Sequence, residues 1–455
     1  MTNTSFESVA ALFVHRIDVS ADRDAFEFPD ASGNGWERIT WKQAGERVRA
    51  IAMGLNALGV EPEQRCALLA ATRVDWILAD LGILCSGGAT TTVYPSSTAE
   101  ECAYILSDSQ SVVAFAEDEG QVEKLLSQRE KIPTLKLIVS IDGAGGHDGL
   151  VVSLADFEKS GKEHDAANPG RFDEIVAAIK RDHLATLIYT SGTTGLPKGV
   201  ELTHDCWVYE GEAIESLGIL GLDDHQYLWL PLAHSFGKVL EAAQLHVGFL
   251  TTVDGRIPKL VDNLAVVRPT FMAAAPRIFE KVYNKIVTGA EAAGGAKLMI
   301  LRWAIGVGNR VSKLGQAGKQ ASGLLALQYK VADKLVFSKL RARFGGQLRF
   351  FISGSAPLSR DMAEFFHAAG ILILEGYGLT ESSAASVVNR PDKWRFGTVG
   401  PAIAGTELKI EPGNGEILMR GRGIMRGYHN MPEVTAETLD AEGWLHTGDV
   451  GEIDD

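Results

Sequence analysis

The sequence predicts an α/β protein with two packed α/β subdomains, mostly parallel sheets in an αβαβα layering, and a small β-barrel-like subdomain near the C-terminus. Apolar runs alternate with amphipathic helical segments, which is the pattern of parallel strands joined by crossover helices. The 455 residues are too many for one hydrophobic core. From about Ser386 the segments become short strands punctuated by Gly and Pro, which favours a β-rich unit. We therefore expect subdomains at 1–180, 181–385 and 386–455.

The first predicted subdomain begins with an amphipathic helix over 7–17 and paired strands over 24–28 and 37–40. Thr40 and Gln43 have the spacing of a capping box, so a helix should begin after Thr40. The alternation then continues with predicted strands at 65–70, 89–94, 112–116 and 135–140. The predicted helices are at 41–59, 73–85 and 99–107, and one more helix ends at residue 126.

Loops and a second α/β region follow. Residues 143–149 and 159–172 are polar and rich in Gly and Asp, so they are predicted to be loops between the two regions. Apolar runs that fit strands lie at 184–189, 200–203, 227–230, 250–253, 270–274, 348–352 and 371–374. In the C-terminal unit, strands are expected at 399, 407–410 and 416–420.

Composition narrows the function classes. The 44 Lys and Arg against 58 Asp and Glu give a net charge of −14, which argues against general nucleic-acid binding. The four Cys include no C-x-x-C pair and are predicted to be reduced core residues. No apolar run reaches the roughly 18 residues of a membrane-spanning helix, and the N-terminus does not resemble a secretory signal. We expect a cytoplasmic protein whose membrane contact is at most peripheral, on the inner face. Motifs of serine hydrolases and zinc hydrolases are missing from the sequence.

The stretch from 184 to 203 predicts a phosphate-binding loop between two strands. The loop consists only of Thr, Ser and Gly: Thr190, Ser191, Gly192, Thr193, Thr194 and Gly195. Small side chains leave the backbone accessible, and the N–H groups and hydroxyls can donate to an anion. Lys198 adds a mobile positive charge. A Walker A loop is excluded because Pro197 precedes this lysine and no Ser or Thr follows it. The alternative is a Gly/Thr-rich hairpin without a ligand.

Residues 189–200, Tyr-Thr-Ser-Gly-Thr-Thr-Gly-Leu-Pro-Lys-Gly-Val, resemble the signature of the adenylate-forming superfamily of acyl- and aryl-CoA synthetases, luciferases and nonribosomal adenylation domains. Five motifs in family order extend the resemblance from about Trp41 to the end of the chain. The motifs at 231–234 and 443–449 are most similar to those of a bacterial long-chain fatty acyl-CoA synthetase. The resemblance implies ATP, Mg²⁺ and coenzyme A, a catalytic role for Lys198, and a metal contact at Thr194.

Gly376-Tyr-Gly-Leu-Thr-Glu381 follows an apolar strand, where a sheet's carboxyl end is expected to carry a ligand-binding loop. The resemblance implies that Tyr377, next to Gly376 and Gly378, stacks on adenine. It also implies catalytic roles for Thr380, at the α-phosphate, and Glu381, which would hold Mg²⁺. One carboxylate beside phosphate oxygens suits that ion. Taken alone, the motif also fits a glycine-flanked turn with a solvated Glu.

Two further motifs resemble the adenine and ribose subsites. Gly354, Ser355 and Ala356 follow the strand at 348–352 and resemble the family's adenine-side loop. Asp449, in Trp-Leu-His-Thr-Gly-Asp, resembles the aspartate that accepts from both ribose hydroxyls, as one carboxylate can. An Asp after Gly is otherwise a common turn former.

His234, in Leu-Pro-Leu-Ala-His-Ser-Phe-Gly, resembles a residue of the family's acyl pocket. It would have a catalytic role by orienting the incoming carboxylate, or it would gate the acyl tunnel. A core histidine fits the same apolar run. Arg277, after Pro276, either supports the pocket or caps the start of a helix.

A basic amphipathic segment within 290–345 leads to the hypothesis that the chain docks on a membrane surface. Between residues 297 and 349 there are eleven Lys or Arg and one acid, Asp333, interleaved with large apolar residues. Such helices lie on anionic membranes, where fatty acids partition. The alternative is a solvated helix pair with its apolar face on the core.

The resemblance implies that a fatty carboxylate attacks the α-phosphorus of ATP and that a CoA thiolate then takes the acyl group. Family members continue with a C-terminal catalytic domain, and this chain stops just after Asp449. We therefore expect that domain to be absent and the chain to bind ATP and fatty acid, make adenylate slowly, and make thioester hardly at all. The alternatives are a fatty acyl-AMP ligase that serves a carrier protein, and a catalytically silent nucleotide- or lipid-binding fragment.

Overall fold

The computed structural model describes residues 5–190 and 195–454. Its strands are β1 (Asp24–Pro29), β2 (Trp36–Thr40), β3 (Arg65–Leu69), β4 (Ala89–Val93), β5 (Val113–Ala116), β6 (Leu137–Ser140), β7 (Val151–Ser153), β8 (Leu184–Thr190), β9 (Lys198–Thr203), β10 (His225–Leu228), β11 (Leu250–Val253), β12 (Phe271–Ala274), β13 (Phe350–Ser353), β14 (Leu372–Tyr377), β15 (Val387–Val388), β16 (Thr406–Ile410), β17 (Glu416–Gly421), β18 (Gly427–Tyr428) and β19 (Leu445–Val450).

The α-helices are α1 (Val9–Ser20), α2 (Trp41–Ala57), α3 (Val74–Cys85), α4 (Ala99–Asp108), α5 (Glu119–Ser127), α6 (Leu154–Ala167), α7 (Arg171–Ala178), α8 (His204–Ser216), α9 (Ser235–Val247), α10 (Leu260–Val267), α11 (Pro276–Ala293), α12 (Gly295–Gln316), α13 (Gly323–Ala332), α14 (Ser338–Arg343), α15 (Arg360–Ala368) and α16 (Pro432–Thr438). A π-helical stretch, Asp333–Phe337, joins α13 to α14.

Two eight-stranded sheets and one small sheet organise these elements. The phosphate-loop sheet has the order β18-β9-β8-β4-β3-β5-β6-β7, and the cleft sheet has the order β15-β14-β13-β12-β10-β11-β1-β2. Pairing is parallel except at β8–β9, β9–β18, β1–β2 and β14–β15. The small sheet, β16-β17-β19, is antiparallel and lies near the C-terminus. The predicted mostly parallel α/β class is confirmed.

The sheets do not follow the order of the chain. Strands β1 and β2 join the cleft sheet, where Phe26 pairs with Thr251 of β11, whereas β8 and β9 join the phosphate-loop sheet. The proposed boundary between residues 180 and 181 therefore does not coincide with a boundary between the sheets. Strand order depends on long-range pairing, which local sequence patterns do not contain.

The predicted loop at 159–172 is wrong, because most of it is helical. It belongs to α6 and α7, and α6 packs on α2 through Leu154, Phe157 and Gly161. A Cβ on Gly161 would lie 1.9 Å from the carbonyl oxygen of Ala50, so the glycine permits the close approach of the two helices. Few of the segment's residues are apolar, so its composition does not indicate that one side of the helix packs on α2.

Helices lie between the two large sheets. α3 packs on β3 and β4, and α8 packs on β8 and β9 as well as on α9. On α9, Gln244 Nε2 donates to the backbone oxygen of Ala25 in the cleft sheet (2.7 Å). The predicted capping box of α2 is present: Thr40 Oγ1 accepts from the N–H of Gln43 (3.2 Å), and Gln43 Oε1 accepts from the N–H of Thr40 (2.8 Å). None of the helices in the described ranges combines the length and apolar character needed to cross a bilayer.

Candidate active site

Three predicted motifs meet in one cleft of about 190 Å³ at the carboxyl ends of β13 and β14. The lining residues come from the His234 motif, the Ser353–Ser355 loop, the loop after Gly376, and the segment that leads into β15. Ligands of open α/β sheets bind at this end of parallel strands. The cleft lining includes the predicted residues His234, Gly354, Ser355, Gly376, Tyr377, Gly378 and Thr380. Ala356 is exposed and outside this lining.

The predicted adenine and ribose residues are hydrogen-bonded to each other. The Tyr377 hydroxyl donates to Asp449 Oδ2 at 2.8 Å. Tyr377 ends β14 of the cleft sheet, and Asp449 lies on β19 of the small sheet, where its carboxylate is exposed. Burial, followed by the nearby carboxylate, raises the pKa of Tyr377. The phenol is therefore a neutral donor at physiological pH.

Thr380 connects two motifs. Its side chain is buried, and its Oγ1 lies 3.3 Å from Ser235 Oγ, the first residue of α9. The loop predicted to contact the α-phosphate is thus hydrogen-bonded to the motif predicted to line the acyl pocket.

His234 is a neutral hydrogen-bonding group at the start of α9. Its Nδ1 accepts from the N–H of Phe236 at 3.1 Å, and burial lowers the pKa of the imidazole. Because Nδ1 is the acceptor, the proton resides on Nε2, which remains a donor. The structure thus places His234 in the cleft lining rather than in the hydrophobic core.

Glu381 and Lys198 meet on opposite parts of one tyrosine. Tyr428 donates from its hydroxyl to Glu381 Oε1 at 2.7 Å. Lys198 Nζ lies 4.9 Å from the centroid of the same ring, a cation–π distance. Tyr428 is not predictable from the sequence as a site residue, because a Gly-Tyr pair in a short strand belongs to none of the motifs.

The predicted phosphate-binding loop follows one strand and precedes another, as expected, and these two strands are antiparallel. Thr190, the last residue of β8, pairs with Lys198, the first residue of β9, and Gly195 has a φ of +112°. Ser191, Gly192, Thr193 and Thr194, including the proposed metal contact at Thr194, lie outside the described residues.

Helix α4 holds both ends of this loop. The hydroxyl of Tyr189, before the loop, donates to Asp108 Oδ2 at 2.6 Å. The hydroxyl of Tyr104 donates to the carbonyl oxygen of Pro197, after the loop, at 3.0 Å. The rings of Tyr104 and Tyr189 stack edge to face, 6.4 Å apart. These contacts fix the residues on either side of the loop, Tyr189 and Pro197, and no motif in the sequence predicts them.

Two other findings refine the site. Ser353 Oγ is buried and has no hydrogen-bond partner among the described residues, although Ser353 lines the cleft. A buried hydroxyl is seldom left unpaired, so a ligand in this cleft would gain a hydrogen bond. Arg277 is exposed in the first turn of α11, after Pro276, and is not part of the cleft lining.

A buried ion cluster fixes α9 against α3. Lys238, one turn after His234, pairs with Asp80 and with Glu241 (3.2 Å). All three side chains are buried, and breaking such a pair would leave an uncompensated charge. The cluster therefore restricts how α9, and with it His234, can move.

No group of three or more His, Cys, Asp or Glu side chains within 5–190 and 195–454 could form a protein-only metal cage. Tyr428 donates to Glu381 Oε1, and Oε2 accepts no hydrogen bond among these residues. A single available carboxylate oxygen suits Mg²⁺, which keeps water and phosphate ligands, better than a metal that needs several protein ligands.

Comparison with known proteins gives consistent matches. The model of the AMP-binding enzyme family matches residues 13–429. A long-chain-fatty-acid–CoA ligase of Mycobacterium bovis is 34% identical over 453 residues, which are 99% of this chain and 73% of the relative. A ligase of the same description from Xenopus laevis is 30% identical and covers 100% of this chain, which spans 63% of that relative.

Solved structures share the fold. An inhibitor-bound N-terminal domain of FACL13 from Mycobacterium tuberculosis has a TM-score of 0.74 at 22% identity and covers 99% of this chain and 98% of that domain. The anthranilate CoA ligase AuaEII, in complex with anthranoyl-AMP, has a TM-score of 0.74 at 20% identity and covers 98% of this chain and 75% of that protein.

Proposed function

The chain belongs to the AMP-binding enzyme family, and from this premise we propose that it activates a long-chain fatty acid with ATP to an acyl-adenylate and then to an acyl-CoA. The observation that carries this proposal is the meeting of residues from distant motifs at one cleft. Tyr377 and Asp449 would take adenine and ribose, Thr380 and Lys198 the phosphates, and His234 the fatty carboxylate. The long-chain substrate is inferred from the two long-chain-fatty-acid–CoA ligases that are 34% and 30% identical to this chain.

Positioning and charge neutralisation supply the catalysis. A carboxylate is a weak nucleophile. Holding it in line with the α-phosphorus therefore supplies much of the reduction in activation free energy. Lys198 neutralises phosphate charge from the start of β9. Glu381 Oε2 would hold Mg²⁺, which when bound neutralises further phosphate charge.

His234 orients the acyl substrate. Its Nε2–H is a neutral donor beside the buried Thr380 and Ser235. A neutral donor can hydrogen-bond a carboxylate without forming an ion pair with it. The carboxylate therefore keeps the negative charge with which it attacks the α-phosphorus.

The experiment is ATP–pyrophosphate exchange with palmitate on this chain. Exchange that depends on palmitate should fall by at least about 100-fold in Glu381→Ala. Glu163→Ala, an exposed residue of α6, is the matched control and should exchange like the parent. Exchange with benzoate or acetate instead of palmitate would contradict the substrate class. Failure with every acid would contradict adenylation. Formation of palmitoyl-CoA, measured by chromatography, distinguishes CoA from a carrier protein as the acceptor.

We also propose that the outer face of α12, α13 and α14 docks on an anionic membrane. Large apolar side chains protrude there, among them Leu324, which is 70% exposed. The others are Met299, Ile300, Trp303, Leu327, Val331 and Leu335. Arg310 Nη2 donates to Gln328 Oε1 at 3.1 Å, which joins the outer sides of α12 and α13 into one surface.

The charges on this surface favour an anionic partner. Within the described ranges, Lys297, Arg302, Arg310, Lys313, Lys319, Lys330, Lys334, Lys339 and Arg343 form no ion pair. The segment's acid, Asp333, pairs with Arg341 at 2.7 Å, and Arg341 also donates to the carbonyl oxygen of Ala369. Arg341 therefore holds the helices together. The nine basic residues named above have no acidic partner among the described residues, so each can contribute about 1 kcal/mol of attraction to anionic lipid. Co-sedimentation with liposomes measures this docking.

A further inference from the structure

Resting on the proposed function, we infer that Tyr428 is a positioning residue for both phosphate-directed charges of the site. Its hydroxyl orients Glu381 for a divalent cation, and its ring keeps Lys198 directed towards the phosphates. The 2.7 Å hydrogen bond to Glu381 Oε1 and the 4.9 Å distance from Lys198 Nζ to the ring centroid are the observations behind this inference.

The backbone of Tyr428 is fixed from two sides. Tyr428 pairs with Val200 of β9, the strand that begins at Lys198. Its N–H donates to Thr435 Oγ1 of α16 at 2.9 Å. The preceding turn also holds Glu381, since the N–H of Met425 donates to the carbonyl oxygen of Glu381 at 2.8 Å. The side chain of Tyr428 therefore starts from a rigid position relative to both partners.

The arrangement keeps two opposite charges from neutralising each other. Lys198 and Glu381 both contact Tyr428, yet they form no direct ion pair in the described part of the chain. An ammonium and a carboxylate attract strongly in a half-buried site, and a direct pair would use the charges that phosphate and a cation require. The ring face accepts the cation and the hydroxyl takes one carboxylate oxygen, which leaves Glu381 Oε2 for a metal ion.

The test separates the hydroxyl from the ring. Calorimetry measures ATP binding to the full chain with Mg²⁺ and with EDTA, and the ratio of the two affinities is the metal enhancement. Tyr428→Phe should lower this enhancement about tenfold, which is typical for a residue that orients a metal ligand, while binding in EDTA stays unchanged. Tyr428→Leu, which also loses the ring, should weaken binding in EDTA as well. p-Aminophenylalanine at position 428 restores a donor on the ring and should recover the enhancement.

Controls make each outcome decisive. Tyr329→Phe removes a hydroxyl that donates to the carbonyl oxygen of Ala368, away from the cleft, and should change neither affinity. The inference is overturned if Tyr428→Phe retains the metal enhancement, or if it weakens binding equally with Mg²⁺ and with EDTA, as a general structural role would. If the unaltered chain shows no metal enhancement, the proposed function fails together with this inference. If the parent shows the metal enhancement and Tyr428→Phe does not change it, the inference about Tyr428 fails while the proposed function stands.

Discussion

The phenolic oxygen of Tyr377 lies 2.8 Å from Oδ2 of Asp449, although 72 residues separate them in the chain. The bond links the cleft sheet to the small C-terminal sheet at the predicted nucleoside position. A ribose that binds here must compete with, or share, this hydrogen bond, so we propose that the Asp449 carboxylate recognises the sugar.

Asp449→Ala should remove discrimination between ATP and 2′,3′-dideoxy-ATP. Hydrogen bonds to a charged group contribute about 1.5–3 kcal/mol, so the parent chain should prefer ATP by roughly tenfold or more. The variant should bind both nucleotides with similar, weak affinity in calorimetry. Tyr377→Phe keeps the ring and the carboxylate, so it should retain the preference for ATP. A variant at Asp449 that still discriminates would show that another residue reads the ribose.

Gly378→Ala should weaken nucleotide binding by roughly tenfold to a hundredfold. A Cβ at this position would lie 1.8 Å from the carbonyl oxygen of Ala384, so the loop between Gly376 and Glu381 must move, at a cost of about 1–3 kcal/mol. Gly289→Ala is the matched control, because Gly289 is exposed in α11 with no atom near its Cβ position. The control should bind ATP normally and unfold at slightly higher temperature, since Ala favours helices. Normal ATP binding by Gly378→Ala would contradict the placement of the site.

Reversing the charges of the outer helical face should prevent docking on anionic liposomes. The test variant replaces four basic residues of this face by Glu: Lys330, Lys334, Lys339 and Arg343. Because each basic residue contributes about 1 kcal/mol, co-sedimentation of the variant with phosphatidylglycerol-containing liposomes should be at least about tenfold weaker. Binding should also decrease with salt.

The control variant has the same change in net charge elsewhere on the surface. It replaces four exposed residues outside this face by Glu: Lys136, Lys159, Lys162 and Lys180. It should bind liposomes like the parent. Equal loss in both variants would mean that net charge, and not this surface, determines binding. Trp303→Ala tests the apolar part and should weaken binding without changing its dependence on salt.

The unfolding free energy should fall below pH 6.5, in part because of His204. Burial lowers the pKa of this fully buried imidazole to about 3, while the unfolded chain titrates near 6.5. Between these values only the unfolded state binds the proton, so the contribution of His204 falls by about 1.4 kcal/mol per pH unit as the pH decreases. Above pH 6.5 both states are neutral at this position and the contribution is flat.

His204→Asn keeps an acceptor for the N–H of Val9, which Nδ1 of His204 accepts in the parent. Urea unfolding from pH 8 to pH 5 should therefore show a shallower decline in the variant. His147→Asn, at an exposed position, should not change the slope. An unchanged slope in His204→Asn would mean that the imidazole is protonated in the folded protein.

The strands that flank the candidate site were largely predictable from the sequence, whereas the way distant elements meet there was not. Pro197 and the glycines near it predict a strand on each side of the loop, and β8 and β9 confirm the two strands. Tyr428 lies 230 residues beyond Lys198 and reaches it only because β18 pairs with β9. Pairing of distant strands depends on tertiary packing and leaves no local pattern in the sequence. The same limit applies to Tyr104 and Asp108, which appear in the sequence as ordinary residues of an amphipathic helix.

The entry of β1 into the cleft sheet has a consequence for synthesis of the chain on the ribosome. Glu27 of β1 accepts a hydrogen bond from Thr252 of β11, 225 residues later. At about 5–20 residues per second, β1 leaves the ribosome roughly 10 to 45 s before its partner strand. During that interval the N-terminal hairpin has no sheet to join and is available to chaperones. Protease protection of the hairpin in stalled nascent chains should therefore appear only after β11 has emerged.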